Sequence, residues 1–177
     1  MLPEMIDGGR FSLRPFRADD ANVVYSYASD EEFSRYLPIP KPYTLPDARD
    51  FLAKQAALDR ELNPSWAVDI GGVACGGVNI RFFAEHQIGE IGYAVARRWW
   101  GQGFASEAAR LVIGAAFSSY AGLRRVRAKA DARNVASVRV MEKLGMRREG
   151  LLRSDRLCRG EFTDEVVYGI LRSEWRA

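Results

Sequence analysis

RRWWGQGFASEAAR, Arg97 to Arg110, decides how the chain is read, because it joins two kinds of sequence. Its first half holds two arginines, two tryptophans and two glycines one residue apart, the makings of an irregular turn. Its second half, Ala105-Ser106-Glu107-Ala108-Ala109-Arg110, reads as the opening turns of a helix, and Glu90-Ile91-Gly92-Tyr93-Ala94-Val95 just upstream reads as a strand. Glycine permits positive φ and close backbone approach, and a first helical turn leaves N–H groups unpaired beside a macrodipole worth roughly half a charge. Phosphate is the natural guest of such a junction; a plain tight turn is the structural alternative.

Working outward, Ala105 to Tyr120 is a long helix, apolar nearly all round, and so expected to pack on a sheet. Phe11 to Pro15 alternates as a first strand, "RADDANVVYSYA" follows as a short helix, and "TLPDARDFLAKQAALDRE" is a second one capped by Thr44. Trp66 to Ile70 and Val73 to Phe83 read as a hairpin closed by Gly71-Gly72. Arg125 to Ala130 alternates small apolar residues with cations, giving a strand with one basic face. Asn134 to Leu144 is a helix with Asn134 as N-cap and Gly145 beyond its end, and two strands turning near Arg159-Gly160 close the chain. The alternation in the second half implies an α/β (α+β) sheet covered by helices.

At 177 residues and 47% hydrophobic, residues 1–177 suit a single domain burying roughly two-thirds of its unfolded surface. No apolar stretch approaches the roughly 20 residues that span a bilayer, and "MLPEMIDGG" lacks a signal pattern, so a cytoplasmic protein without membrane attachment is expected. Cys75 and Cys158 have no metal-site spacing and His86 stands alone in "EHQ", so no metal is expected. Residues 97–148 hold 12 of the 26 Lys and Arg but only 3 of the 23 Asp and Glu, a net of +9 against −6 for the rest. That split favours an anionic ligand, with a solvated basic face as the alternative.

The phosphate motifs G-x-G-x-x-G and G-x-x-x-x-G-K-[ST] are both absent from the turn. Arg98-x-x-Gly101-x-Gly103, however, is similar to the [QR]-x-x-G-x-[GA] signature of the GCN5-related N-acetyltransferases (GNAT). "FSLRPFRADD", "GEIGYAV", "RVRAKADARNVASVRVMEKLGMRREG" and "YGILRSEW" follow the order and spacing of the ribosomal-protein N-terminal acetyltransferase-like (Rim-type) branch, over nearly the whole chain. The resemblance implies one mixed, mostly antiparallel sheet of about seven strands, splayed at the cofactor site and flanked by about four helices. It also implies acetyl-CoA as cofactor. Arg98, Trp99, Trp100, Gly101, Gln102, Gly103, Phe104 and Ala105 would bind the pyrophosphate, Tyr93, Ala94 and Val95 would lie along the pantetheine, and Asn134 would reach that arm or serve only as a cap. Arg97, Arg133 and Arg139 are basic positions for the 3′-phosphate end.

Acyl transfer needs a neutral amine. An α-amino group (pKa near 8) is about a tenth neutral at pH 7, and a lysine amine (near 10.4) only a few parts in ten thousand, a gap of about 3.4 kcal/mol. Glu90, on the strand before the turn, is the candidate base, or else an ion-paired surface residue. Many GNAT enzymes place an acidic tyrosine where this chain has Met141, which donates nothing; the Rim-type branch tends to have serine at the position of Ser137, which becomes the candidate donor to the leaving thiolate, unless it only joins the hydrogen bonding of the helix start. A backbone N–H between Tyr93 and Val95 would serve the developing oxyanion. Tyr36, Tyr43 and Trp66, with Glu90, are the expected acceptor walls.

The expected function is direct acetyl transfer to a primary amine, either a protein N-terminal α-amine or a small molecule, without an acyl-enzyme. The alternatives are a non-catalytic acyl-CoA sensor and an enzyme using succinyl-CoA or another acyl donor. Nucleic-acid binding is not expected, and a homodimer is compatible with the sequence.

Overall fold

The chain opens with two short strands, β1 (Ile6–Asp7) and β2 (Ser12–Arg14), and three helices, α1 (Ala21–Ala28), α2 (Glu31–Ser34) and α3 (Leu45–Ala56), in the computed structural model, which describes residues 1–176. Thr44 caps α3 reciprocally with Asp47, as its sequence suggests. The helix stops at Ala56, short of the expected Glu61, where the Asp59 carboxylate takes the Glu61 N–H at 2.8 Å and turns the chain instead.

The hairpin β3 (Ser65–Ile70) and β4 (Val73–Phe83) closes through Gly71 and Gly72, both at positive φ (64° and 86°) as a two-residue turn demands. Next come β5 (Ile88–Val95), α4 (Phe104–Ser119), β6 (Arg125–Asp131), α5 (Val135–Lys143), β7 (Arg147–Cys158) and β8 (Glu161–Leu171). The eight strands form one sheet in the order β1-β2-β3-β4-β5-β6-β8-β7, antiparallel everywhere except between β5 and β6. A parallel pair needs a crossover, and α4 supplies it. The count exceeds the expected seven because β1 is a two-residue strand whose sequence has no alternation to announce it. The fifth helix is α2, only four residues long.

Two layers cover the sheet. Phe104, Ala108, Ala109, Val112, Ile113, Ala116 and Phe117 of α4 are buried, on the same core as Val78, Ile80, Ile91, Val126 and Ala128, with Met141 of α5 and its C-cap Leu144 beside them. Full burial of a side chain such as Ile113 contributes about 1.5–3 kcal/mol. Gly77, between Cys75 and Val78 in β4, faces Phe16 on the opposite side, where α1 and α3 form a second, smaller cluster. Under those helices lies a buried ionic triad: Arg14 grips Asp20 with two bonds of 2.8 Å and Asp69 with one of 2.6 Å.

The relationship that positions the site is between β5 and its neighbours. Along β4 the pairing runs from Phe83↔Ile88 to Gly76↔Val95, and a Cβ at Gly76 would lie 2.2 Å from the Ala94 oxygen. With β6, by contrast, only Ile88, Gly89 and Glu90 are paired, to Arg125, Val126 and Arg127. From Ile91 to Val95 that edge of β5 has no strand partner among the described residues, and the sheet splits open.

Candidate active site

The turn after β5 stands at the mouth of the split. Arg97–Trp99 form a single 3-10 turn, Gly101 and Gly103 both have positive φ (74° and 87°), and Gly103 is the N-cap of α4. The first helical bond runs from Glu107 N–H to the Gly103 oxygen, and no side chain among the described residues caps the helix start. The N–H groups of Phe104, Ala105 and Ser106 therefore have no acceptor within a 16-residue helix, a donor set suited to phosphate.

Side chains around the turn brace it. Trp100 gives its indole N–H to the Val95 oxygen at 2.6 Å, Gln102 Nε2 bonds the Arg98 oxygen at 3.1 Å, and Trp99 stands edge-on to Phe104 with ring centroids 5.4 Å apart. Arg10, ahead of β2, reaches the Gln102 oxygen and Glu107 and lies 4.2 Å above the Phe104 ring. Arg98, one of the residues expected at the pyrophosphate, turns its guanidinium to Cys75 Sγ (3.7 Å) and the Trp99 ring (5.3 Å).

On the far wall, Asn134 caps α5 by accepting the Ser137 N–H at 3.1 Å, as its place before the helix suggests. Ser137 also meets Tyr93, whose Oη lies 3.0 Å from the Ser137 carbonyl oxygen and 3.1 Å from its Oγ. Burial pushes the Tyr93 phenol up to about 12, so it is a neutral donor at ordinary pH.

Strand alternation places Glu90 on the opposite sheet face from Tyr93. Its carboxylate accepts from Arg127 Nε at 2.7 Å and stands at the vertex of the split, both residues half-buried. The basic face of β6 is thus not free charge. Arg125 pairs with Glu149, Arg127 with Glu90, and Lys129 with Asp155 (2.9 Å) and Glu165 (3.4 Å); all four acids come from outside the basic segment. Arg133 is likewise paired with Asp131, whose carboxyl its guanidinium keeps below the usual range, yet its side chain stays mostly exposed. Arg97 pairs loosely with Asp30 (3.7 Å), while Arg139 is exposed with no carboxylate partner among the described residues.

The acceptor walls need correction. Trp66 is 0% exposed, its indole bonded to the Pro3 oxygen at 3.1 Å: β3 is an inner strand and that face is filled by the main core, so no acceptor can touch it. Tyr43 packs against the α1–α3 cluster. Tyr36 does approach the far wall, its Oη 3.4 Å from the Arg133 oxygen.

The stretch that carries the uncapped helix start, the two positive-φ glycines and the split parallel pair lies within residues 10–147, which a family model of the acetyltransferase (GNAT) domain matches. The chain belongs to the GNAT family. It is 34% identical over 166 residues to the uncharacterized N-acetyltransferase YnaD of Bacillus subtilis, covering 94% of this chain and 96% of that one. The crystal structure of a GNAT-family acetyltransferase from Bacillus anthracis superposes with a TM-score of 0.83 at 31% identity, over 96% of this chain and 99% of the other. RimL, a ribosomal L7/L12 alpha-N-protein acetyltransferase solved in complex with coenzyme A, shares the fold at a TM-score of 0.84 and 17% identity, over 95% and 98% of the two chains. This GNAT chain is an N-acetyltransferase, and none of its described helices is long and apolar enough to cross a membrane.

Proposed function

We propose that the protein transfers an acetyl group from acetyl-CoA directly to a primary amine, on a protein N-terminus or a small molecule. The observation that carries this reading is the uncapped start of α4 behind Gly101 and Gly103, opening onto the unpaired edge of β5. Its free N–H groups and the absence of a Cβ at either glycine suit a pyrophosphate, and the edge from Tyr93 to Val95 suits an amide-bearing arm added like a strand.

Acetyl-CoA supplies an activated thioester. The chain's part is positional and electrostatic. Glu90 takes the proton of the attacking amine on one face of the sheet, and Ser137 offers its hydroxyl to the leaving sulfur on the other, at the positive end of α5. A backbone N–H between Tyr93 and Val95 meets the charge that develops on the carbonyl oxygen. Base and donor on opposite faces are what transfer through the split calls for. Residues 1–177 act as a single catalytic domain.

Release of free thiol from acetyl-CoA, followed colorimetrically with a panel of peptides and small amines and with succinyl-CoA in parallel, tests the reading. Amine-dependent release with acetyl-CoA is expected. Tight CoA binding by calorimetry with no turnover on any acceptor would favour the sensor; faster release from succinyl-CoA would reassign the donor.

A further inference from the structure

We propose that Tyr93 is a positioning residue for acyl transfer, its phenol fixing the Ser137 hydroxyl in the orientation that serves the leaving sulfur. This rests on the reading of Ser137 as the donor. The two residues stand on opposite walls of the split, one in β5 and one in the first turn of α5, and their contact joins those walls at the unpaired stretch of β5. Tyr93 Oη is 3.0 Å from the Ser137 carbonyl oxygen and 3.1 Å from Ser137 Oγ. A carbonyl oxygen only accepts, so a phenol proton given to it leaves Ser137 Oγ with its own proton to give. The Ser137 N–H is already committed to Asn134 Oδ1 at 3.1 Å. Backbone donor and acceptor are both engaged, and the hydroxyl proton is the one group of Ser137 left to turn, between Tyr93 Oη at rest and a leaving sulfur during the reaction.

Tyr93 itself loses nothing in the step. Burial holds its phenol at about 12, far above a thiol near 8.5, so it remains protonated while the thiolate departs. The bond that breaks is carbon–sulfur, the bond that forms is carbon–nitrogen, and the amine proton leaves through Glu90. What Tyr93 contributes is a hydroxyl held at one position before the charge appears, so that little reorganisation is needed when it does.

A cycle of Tyr93→Phe, Ser137→Ala and the double variant tests this, with kcat and KM for acetyl-CoA, and with active sites counted by calorimetric CoA binding so that partial unfolding cannot mimic the effect. Tyr93→Phe should lower kcat about tenfold while KM and CoA affinity stay within about twofold. The double variant should be no slower than Ser137→Ala alone, because the phenol acts only through that serine. An unchanged kcat in Tyr93→Phe, a loss confined to CoA affinity, or a double variant as slow as the product of the two single losses would each overturn the assignment. A wild-type protein that turns over no acceptor overturns the catalytic reading itself, before any variant is made.

Discussion

Arg10 holds Glu107 in the first turn of α4 through two hydrogen bonds, 2.6 and 2.9 Å long, between residues 97 positions apart. The pair has a clear use. A carboxylate in the first turn would compete with phosphate for the helix start, and Arg10 neutralises it while tying the Gln102 oxygen to the same guanidinium at 2.5 Å.

The two glycines of the turn should therefore respond differently. A Cβ at Gly103 would meet Glu107 Oε1 at 3.0 Å and Arg10 Nη2 at 3.2 Å, ends of flexible side chains that the pair itself immobilises; at Gly101 a Cβ meets nothing within 4 Å. Gly101→Ala is expected to cost only the left-handed backbone penalty, about 1–2 kcal/mol. Gly103→Val adds the loss of the brace and should reduce CoA affinity by more than about 100-fold, since it disturbs the donors themselves. Titration calorimetry of both variants decides it, and near-normal affinity in Gly103→Val would remove the phosphate role of the turn.

Much of this site is legible in local pattern. Strand, turn and helix from Ile88 to Ser119 follow from alternation, paired glycines and a helical apolar stripe, and Asn134 announces itself as a cap. The contact of Tyr93 with Ser137 was within reach as well, since a period of two puts Tyr93 on the face of Ile91 and Val95, toward the helices. Arg10 was not, because no local signal links it to Glu107. Trp66 misled for a related reason: an aromatic in a hairpin suits a pocket wall or a core equally, and only the strand order, which places β3 inside the sheet, separates the two. The basic surplus of residues 97–148 misled in part because the acids that neutralise β6 come from Glu90 and from β7 and β8.

The Arg14 triad predicts a pH-dependent stability. Burial works against ionising Asp20, but hydrogen bonds from Arg14 and the Arg17 N–H, with the Arg14 charge, outweigh it and hold its carboxyl below the usual carboxylate range. Asp20 therefore stabilises the folded protein above the unfolded value, near 3.9, and that contribution is lost as pH falls through the lower folded one. Arg14→Met strands two buried carboxylates and should cost about 3–5 kcal/mol at neutral pH. Without Arg14, burial favours protonation of Asp20 in the folded state, so the deficit should shrink toward acid. Urea midpoints at pH 7.5 and 5 measure it; a gap that does not narrow would mean that the loss is one of packing, not of charge.

Glu90 offers the sharpest test of the proposed chemistry, because its place admits two roles. Its carboxylate sits at the vertex of the split, on the face opposite Tyr93, yet it already accepts from Arg127 at 2.7 Å. Glu90→Gln preserves the side chain's size and cannot take a proton. If Glu90 receives the amine proton, kcat should fall about 100-fold with CoA affinity unchanged. The rising limb of the pH–rate profile should also move up toward the acceptor's own pKa, since only amine neutralised in solution can then react. An ion pair that merely fastens β5 to β6 predicts the reverse: a lower unfolding midpoint, kcat within about twofold, and a profile that does not move.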